Sequence, residues 1–208
     1  MKDLNEYKNA NEYKWDKRSL TYDSKRFDYF RYMQKKAIAQ LDIKKDSNFL
    51  DLGCGTGWAV CYVANQLNYS GQFAGIDISG GMIDKATVKA KGYNNISFIK
   101  ASTENLPFDN DYFDNIICTN SFHHYLNPDK VITEIFRVLK ANGKICILDI
   151  TLDDFFVKWI NQKLIEKEDA HVSFYSSLAY KDFFSKHGLR HIKSKRIIYP
   201  LKVHIAEK

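Results

Sequence analysis

The residues with the clearest chemical potential lie between Leu50 and Gly57, where the chain reads Leu-Asp-Leu-Gly-Cys-Gly-Thr-Gly. An apolar run that contains Asp51 ends there, and glycines then follow at every second position. Glycine adopts backbone angles that other residues avoid, and it lets a ligand lie directly against the main chain. The pattern predicts a strand that enters a tight ligand-binding loop and then a helix.

A second acid, Asp77, ends the next apolar run about 20 residues later, where nucleotide-binding sheets place the acid that contacts ribose hydroxyls. A dinucleotide site would prefer the spacing Gly-x-Gly-x-x-Gly and would hold a pyrophosphate at the loop. The spacing here is Gly-x-Gly-x-Gly. Asp51 beside this loop would repel a pyrophosphate but suits an ammonium group. The loop and its two acids therefore favour a nucleoside cofactor that carries an amino acid.

The glycine loop resembles the first motif of the class I S-adenosylmethionine (SAM)-dependent methyltransferases. Further stretches similar to motifs of that family are residues 75–79, 105–108, 113–117 and 137–144, with Ala141 where the family has proline. The similarity extends over about residues 48–150 and is greatest to the small-molecule type that includes ubiquinone and menaquinone biosynthesis methyltransferases. SAM is therefore the expected cofactor, and S-adenosylhomocysteine (SAH) the expected product.

The resemblance implies which residues bind the cofactor. Asp51 and the loop backbone would hold the methionine part, Asp77 the ribose hydroxyls, and Ile78 the adenine. After the third strand the family often has an aspartate that reaches the adenine amine, but this chain has Ser102, whose hydroxyl is a weaker acceptor than a carboxylate. The full set implied is Asp51, Gly53, Cys54, Gly55, Gly57, Asp77, Ile78, Ser102, Thr103, Glu104 and Asn120.

Candidate catalytic residues are fewer, because transfer from a sulfonium mainly requires that the two reactants be held in position. An acceptor of high pKa also needs a base, and histidine is the natural one at neutral pH. His123 and His124 follow the fourth strand, and each could instead have a structural role. By resemblance, Tyr22 belongs to a segment that covers the cofactor. His171 and Tyr175 are candidates on the acceptor side.

Strands alternate with helices through residue 150, which predicts a parallel sheet with right-handed crossovers. The fifth strand is predicted over residues 144–150, and residues 155–168 are predicted to form a helix. The short link at Pro200 requires the last two strands to pair antiparallel. The resemblance to the methyltransferases implies the complete arrangement, an α/β, Rossmann-like, seven-stranded, mostly parallel sheet with an antiparallel last strand and helices on both faces. We predict one domain over residues 1–208, comprising a helical lid segment (1–45), a SAM-binding core (46–150), and substrate-side helices with the last two strands (151–208).

Composition limits the cellular setting and the partners. The four cysteines show no Cys-x-x-Cys spacing, which favours free thiols in a reducing compartment and gives no reason to expect a metal site. The start is polar and no apolar run is long enough to span a membrane, so we expect a cytoplasmic protein. The net charge of +6 comes from the two terminal segments, where lysines are mixed with acids. This distribution of charge is not a strong signature of nucleic-acid binding. A homodimer is possible.

We therefore predict a SAM-dependent methyltransferase that acts on a small molecule. Two alternatives stay open: a SAM-binding regulatory protein without turnover, and an RNA or protein methyltransferase. Enzymes that methylate the amino groups of bases carry Asn/Asp-Pro-Pro-Tyr/Phe after the fourth strand, whereas residues 119–122 here read Thr-Asn-Ser-Phe. The sequence does not fix whether carbon, nitrogen, oxygen or sulfur accepts the methyl group.

Overall fold

The computed structural model of the chain describes residues 4–24, 28–66, 70–153, 159, 163 and 173–208. Strands alternate with helices through the fifth strand, as predicted, except that the described residues between the third strand and the fourth form no helix; a short 3-10 turn at Phe122–His124 follows the fourth strand. The elements in chain order are α1 (Leu4–Ser19), α2 (Asp28–Ile38), β1 (Phe49–Leu52), α3 (Trp58–Asn65), β2 (Phe73–Asp77), α4 (Gly80–Lys89), β3 (Ile96–Lys100), β4 (Phe113–Thr119), α5 (Pro128–Val138), β5 (Leu139–Ile150), α6 (Ser177–Lys186), β6 (Arg190–Ile198) and β7 (Leu201–Glu207).

The strands form one seven-stranded sheet in the order β3-β2-β1-β4-β5-β7-β6. β1 pairs in parallel with β2 and β4, while β7 runs antiparallel to both β5 and β6. This confirms the predicted fold class. The chain order reverses between β1 and β4, and in such sheets ligands bind in the crevice outside the carboxyl ends of the strands at this point.

Two buried apolar clusters, one on each face, hold the centre of the sheet in place. α5 buries Val131, Ile132, Ile135 and Val138 in one cluster, a spacing that places all four on one side of a helix. α2 and α3 pack in the other cluster. β1 is buried along its whole length, as expected for a parallel strand covered on both faces. The carboxyl ends of β1 and β4 thus rest on a tightly packed base.

α1 differs from the other helices because it has no apolar stripe. Its buried residues among those described are Asn11 and Ser19, both polar, and this explains why no helical periodicity is visible in its sequence. It lies against α4 through polar side chains instead.

Two further sequence predictions concern the second half of the chain. β5 begins at Leu139, before the predicted start at Lys144, because Leu139 pairs with Phe113 ahead of an irregularity in the register. The helix predicted over residues 155–168 lies outside the described residues except for Trp159 and Lys163. His171 also lies outside them.

Candidate active site

The glycine loop between β1 and α3 is built from residues in the left-handed region. Gly53, Gly55 and Gly57 have φ angles of 71°, 52° and 76°. A Cβ atom on Gly57 would lie 2.4 Å from a ring carbon of Phe98 and 2.8 Å from the Cβ of Ala86. Both the conformation and the lack of space therefore require glycine, and the loop backbone is exposed to the crevice at the sheet end.

Asp77, at the tip of β2, is tied to this loop by main-chain donors. The amide of Gly55 donates to its Oδ2 at 2.9 Å, and the amide of Ser79 donates to its Oδ1 at 2.9 Å. Burial raises the pKa of the Asp77 carboxyl, and these backbone donors counteract the shift. Each carboxylate oxygen keeps a further lone pair, so Asp77 can accept two hydroxyl hydrogen bonds without leaving the loop.

Asp51 is buried within β1, and its carboxylate has no partner among the described residues. Neither of its carboxylate oxygens accepts a hydrogen bond from any residue that the structure describes. Burial, and secondly the charge of Asp77, raise the pKa of Asp51 well above its usual range. A buried carboxylate of this kind is costly unless a cation or donor satisfies it. The residue therefore fits the ammonium group of a ligand bound at the adjoining glycine loop.

A cleft lies across the carboxyl ends of β1 to β4. It encloses about 820 Å³, including the solvent at its mouth. Its charged lining residues in the described part of the chain are Asp77 and Glu104, so the wall favours a cationic ligand. The predicted site residues that line it are Tyr22, Gly53, Gly55, Asp77, Ile78, Ser102, Thr103, Glu104, Asn120 and His124.

Other predicted residues lie behind this wall. Asp51 and Cys54 are buried in or next to the β1–loop junction, and Gly57 begins the turn into α3.

Asn120, which does line the cleft, has a φ of 54° although it is not glycine. Such a conformation is uncommon outside glycine and clusters at functional sites. Its amide donates to the carbonyl of Leu148 at 2.8 Å, which holds the β4 end in this shape.

The N-terminal segment forms the roof of the cleft. The ring of Trp15 meets the ring of His124 edge to face, with centroids 5.3 Å apart. The ring of Tyr22 lies 3.4 Å from the position that a Cβ on Gly55 would occupy. Burial raises the pKa of Tyr22 to about 12, so its hydroxyl stays protonated at neutral pH. The contact with Gly55 places Tyr22 over the loop. Its protonated hydroxyl makes the residue unsuitable as a base.

Polar contacts hold α1, which we call the lid helix, on the body of the protein. Oδ1 of Asp16 accepts hydrogen bonds from the Ser79 hydroxyl at 2.5 Å and from the Gly81 amide at 3.0 Å. Glu12 forms an ion pair with Lys100 at 2.5 Å. Ser79 therefore contacts Asp16 through its hydroxyl and Asp77 through its amide.

His123 is paired with an acid on the neighbouring strand. Its Nδ1 lies 2.6 Å from Oδ1 of Asp149, and its amide donates to Oδ2 of the same residue at 3.0 Å. Asp149 is fully buried in β5. This arrangement orients the imidazole and leaves Nε2 as the nitrogen available for proton transfer. Of the two histidines, only His124 is among the cleft-lining residues of the described chain.

Sequence reasoning missed Ser121 and Asn11 among the polar residues of the site. The Ser121 hydroxyl donates to the carbonyl of Leu52 at 3.0 Å, and the Tyr125 hydroxyl donates to Oγ of Ser121 at 3.1 Å. Both lie against Gly53, where a Cβ would be 2.7 Å from Oγ of Ser121. Asn11, on the lid helix, also lines the cleft. The one available signal was the run of polar and aromatic residues directly after β4.

Comparisons with known proteins agree with this geometry. Residues 43–201 match the sequence profile of the methyltransferase domain family. The chain is 30% identical over 138 residues to the ubiquinone/menaquinone biosynthesis C-methyltransferase UbiE of Francisella tularensis subsp. holarctica, covering 65% of this chain and 55% of the relative. It is 34% identical over 119 residues to the demethylmenaquinone methyltransferase of Lactobacillus johnsonii, covering 56% and 49%. The chain thus spans about half the length of these curated relatives.

Among solved structures, the fold is similar to a chain from the complex between the Haloferax volcanii Trm112 methyltransferase activator and a methyltransferase. The TM-score is 0.80 at 18% identity, over 93% of this chain and 96% of the other. Within the described part of the protein, no helix has the length and apolarity required to cross a lipid bilayer. Profile match, sheet order, glycine loop and paired acids together show that the chain belongs to the methyltransferase domain family, as a class I member whose cofactor is S-adenosylmethionine.

Proposed function

We propose that the protein transfers the methyl group of SAM to a small-molecule acceptor. The observation that carries this proposal is the unpartnered carboxylate of Asp51 in the strand that enters the glycine loop. A cationic amino acid group at the loop would satisfy Asp51 at the same time as a ribose reached Asp77. SAM carries both groups, one on each side of its sulfonium sulfur.

The chain's own residues would mainly position the reactants. Bound SAM supplies an electrophilic methyl group on a sulfonium, whose sulfur takes the bonding electrons as the acceptor attacks. Asp51 would hold the ammonium group, Asp77 the ribose diol, and Ile78 one face of the base. Asn120 and His124 line the cleft at the β4 end, where the methyl group would be presented. Positioning of this kind supplies most of the acceleration that such a displacement needs.

Two features support a small acceptor. The lid helix and Tyr22 roof the cleft, which restricts access to a bulky polymer. The two curated relatives are named for ubiquinone and menaquinone biosynthesis and for demethylmenaquinone, which are small molecules.

The four cysteines are free, which supports our further proposal that the protein works in the reducing cytoplasm.

A radiolabelled-methyl assay across metabolite pools, with calorimetric titration of SAH, tests this function. We expect label in a small-molecule fraction and expect Asp77→Ala to weaken SAH binding by about 1–3 kcal/mol, because a buried acceptor is lost. Asp84→Ala, an exposed acid on α4, is the matched control and should bind SAH normally. Absence of SAH binding by the parent protein would refute the proposal. Binding without transfer to any acceptor would favour the regulatory alternative, and label in RNA or protein the polymer alternative.

We also propose that His123, oriented by Asp149, acts as the base where the acceptor must lose a proton. His123→Ala should then lower the rate of methyl transfer most around neutral pH, where a neutral imidazole can take the acceptor proton. The difference should shrink at low pH, where an imidazole is itself protonated, and at high pH, where the acceptor loses its proton without help. Rates are measured between pH 6 and 9 at saturating SAM. If the variant transfers methyl groups at the parental rate across this range, His123 is not the base.

A further inference from the structure

Asn11 is a polar residue of the lid helix whose amide oxygen has no partner. The residue is 7% exposed, its Oδ1 accepts no hydrogen bond from the residues that the structure describes, and its side chain lines the cleft. A buried amide oxygen without a donor carries a desolvation cost that an apolar residue would avoid. Asn9 on the same helix is exposed and has no such cost. The position of Asn11 indicates that a ligand donor completes its hydrogen bonding.

The sheet order fixes which part of a ligand lies where along the cleft. Because the strands run β3-β2-β1-β4, the site residues that follow them occur in the order Ser102, Asp77, glycine loop and Asn120. An extended cofactor with its ammonium at Asp51 and its ribose at Asp77 must therefore direct its base towards the end of β3.

The lid helix passes this same end of the cleft. Glu12, next to Asn11, pairs with Lys100, the last residue of β3. Ser102 follows two residues later and lines the cleft together with Asn11. The Ser102 hydroxyl oxygen already accepts a hydrogen bond from the Glu104 amide at 3.2 Å, which reduces its capacity towards a ligand. At the end of the cleft that would receive the adenine, the hydroxyl of Ser102 is thus a weak acceptor, and the amide oxygen of Asn11 on the lid helix is an unused one.

We propose that the Asn11 amide oxygen accepts a hydrogen bond from the exocyclic amino group of the cofactor's adenine. Asn11 is then a specificity-determining residue, and base recognition comes from the lid helix as well as from the sheet. This inference rests on the proposed function, since it assumes that SAM and SAH occupy the cleft.

The test compares two ligands by calorimetric titration: SAH, and the SAH analogue with hydrogen in place of the adenine amino group. The parent protein should bind SAH about three- to tenfold more tightly than the analogue, the effect of one neutral hydrogen bond. Asn11→Ala should lose that factor for SAH and bind the analogue like the parent. Asn9→Ala, the matched control, should bind both like the parent.

Thermal melting separates ligand recognition from a structural role. Because the amide oxygen of Asn11 has no donor among the described residues, Asn11→Ala should melt no lower than the parent without ligand and should gain less stabilisation from SAH. Equal weakening of both ligands, or unchanged SAH affinity, would overturn the inference while leaving SAM binding intact. Failure of the parent protein to bind SAH would instead overturn the proposed function itself.

Discussion

The glycine loop and the lid helix enclose the same cleft but are held by different forces. The loop is fixed by left-handed backbone angles, by close packing against Phe98, and by main-chain hydrogen bonds to β2 and Asp77. The lid helix is fixed by side-chain contacts of Asp16 and Glu12, and its buried residues in the described chain are polar. One wall is thus part of the packed body, and the other is attached to it electrostatically.

This difference separates two tasks of a binding site. A packed wall keeps its geometry whether or not a ligand is present, because moving it would open the core. A wall held by polar contacts can detach at little cost, since each such contact contributes only about 1 kcal/mol. The loop would therefore set the orientation of the cofactor, and the lid would control its entry and exit. Three variants test this division, and the largest effect is expected in the packed wall.

Gly57→Ala should destabilise the whole protein by about 3 kcal/mol, because it combines a strained φ with a steric clash. The added Cβ would meet Phe98 at 2.4 Å. Gly92→Ala is the control: Gly92 also has a positive φ, 98°, but no heavy atom lies within 4 Å of an added Cβ, and the expected loss is about 1 kcal/mol. Urea denaturation measures both. Equal losses would show that packing does not hold the loop.

Asp51→Asn should weaken SAH binding by about 2 kcal/mol, because an ammonium group loses a charged partner. The raised pKa of Asp51 has the opposite consequence for the unliganded protein. The folded state retains a proton that the unfolded chain releases near pH 3.8, so the stability that Asp51 contributes is full below that pH and is lost as the pH rises through the folded pKa. Asp51→Asn removes this pH-dependent loss of folding stability, because an asparagine does not ionise.

Urea denaturation without ligand, at several pH values from 4 to 7, measures the second effect of Asp51→Asn. The unliganded variant should become progressively more stable than the parent protein as the pH rises. Tighter SAH binding by the variant, or a stability difference independent of pH, would show that Asp51 is not an unsatisfied acid that awaits a cation.

Asp16→Ala should produce the smallest effect, a loss of about 1 kcal/mol in the free energy of local opening of the lid helix. Hydrogen exchange of the α1 amides should accelerate about fivefold while exchange in β1 and β4 is unchanged. The pKa of Asp16 is lowered by its bonds to Ser79 and Gly81, so its contribution is present above about pH 4 and disappears as the pH falls. Asp182→Ala, an exposed acid on α6, is the control. Faster exchange throughout the sheet would contradict a separately attached lid.

The sequence was informative where backbone geometry decides the structure. Three alternating glycines, the acids Asp51 and Asp77, and apolar runs of strand length predicted the loop and the parallel strands, and the short link at Pro200 predicted the antiparallel pairing. The lid helix gave no such signal, because a helix docked through Asp16 and Glu12 needs no apolar stripe. The pairing of His123 with Asp149 depends on the register of β4 and β5, and the unpartnered state of Asn11 depends on three-dimensional neighbours. Neither can be deduced from spacing along the chain.

Ser79 connects the lid helix to the proposed nucleoside site. Its amide binds the acid proposed to hold the ribose, and its hydroxyl binds the lid through Asp16, so the occupancy of one site is energetically linked to the closure of the other. Such linkage is reciprocal: whatever free energy the nucleoside adds to closure, closure adds to retention of the nucleoside. A lid that shuts firmly on SAM would hold spent SAH almost as firmly. The contacts that hold the lid helix are polar and of modest strength. The step that they would keep fast is the release of SAH and not the methyl transfer.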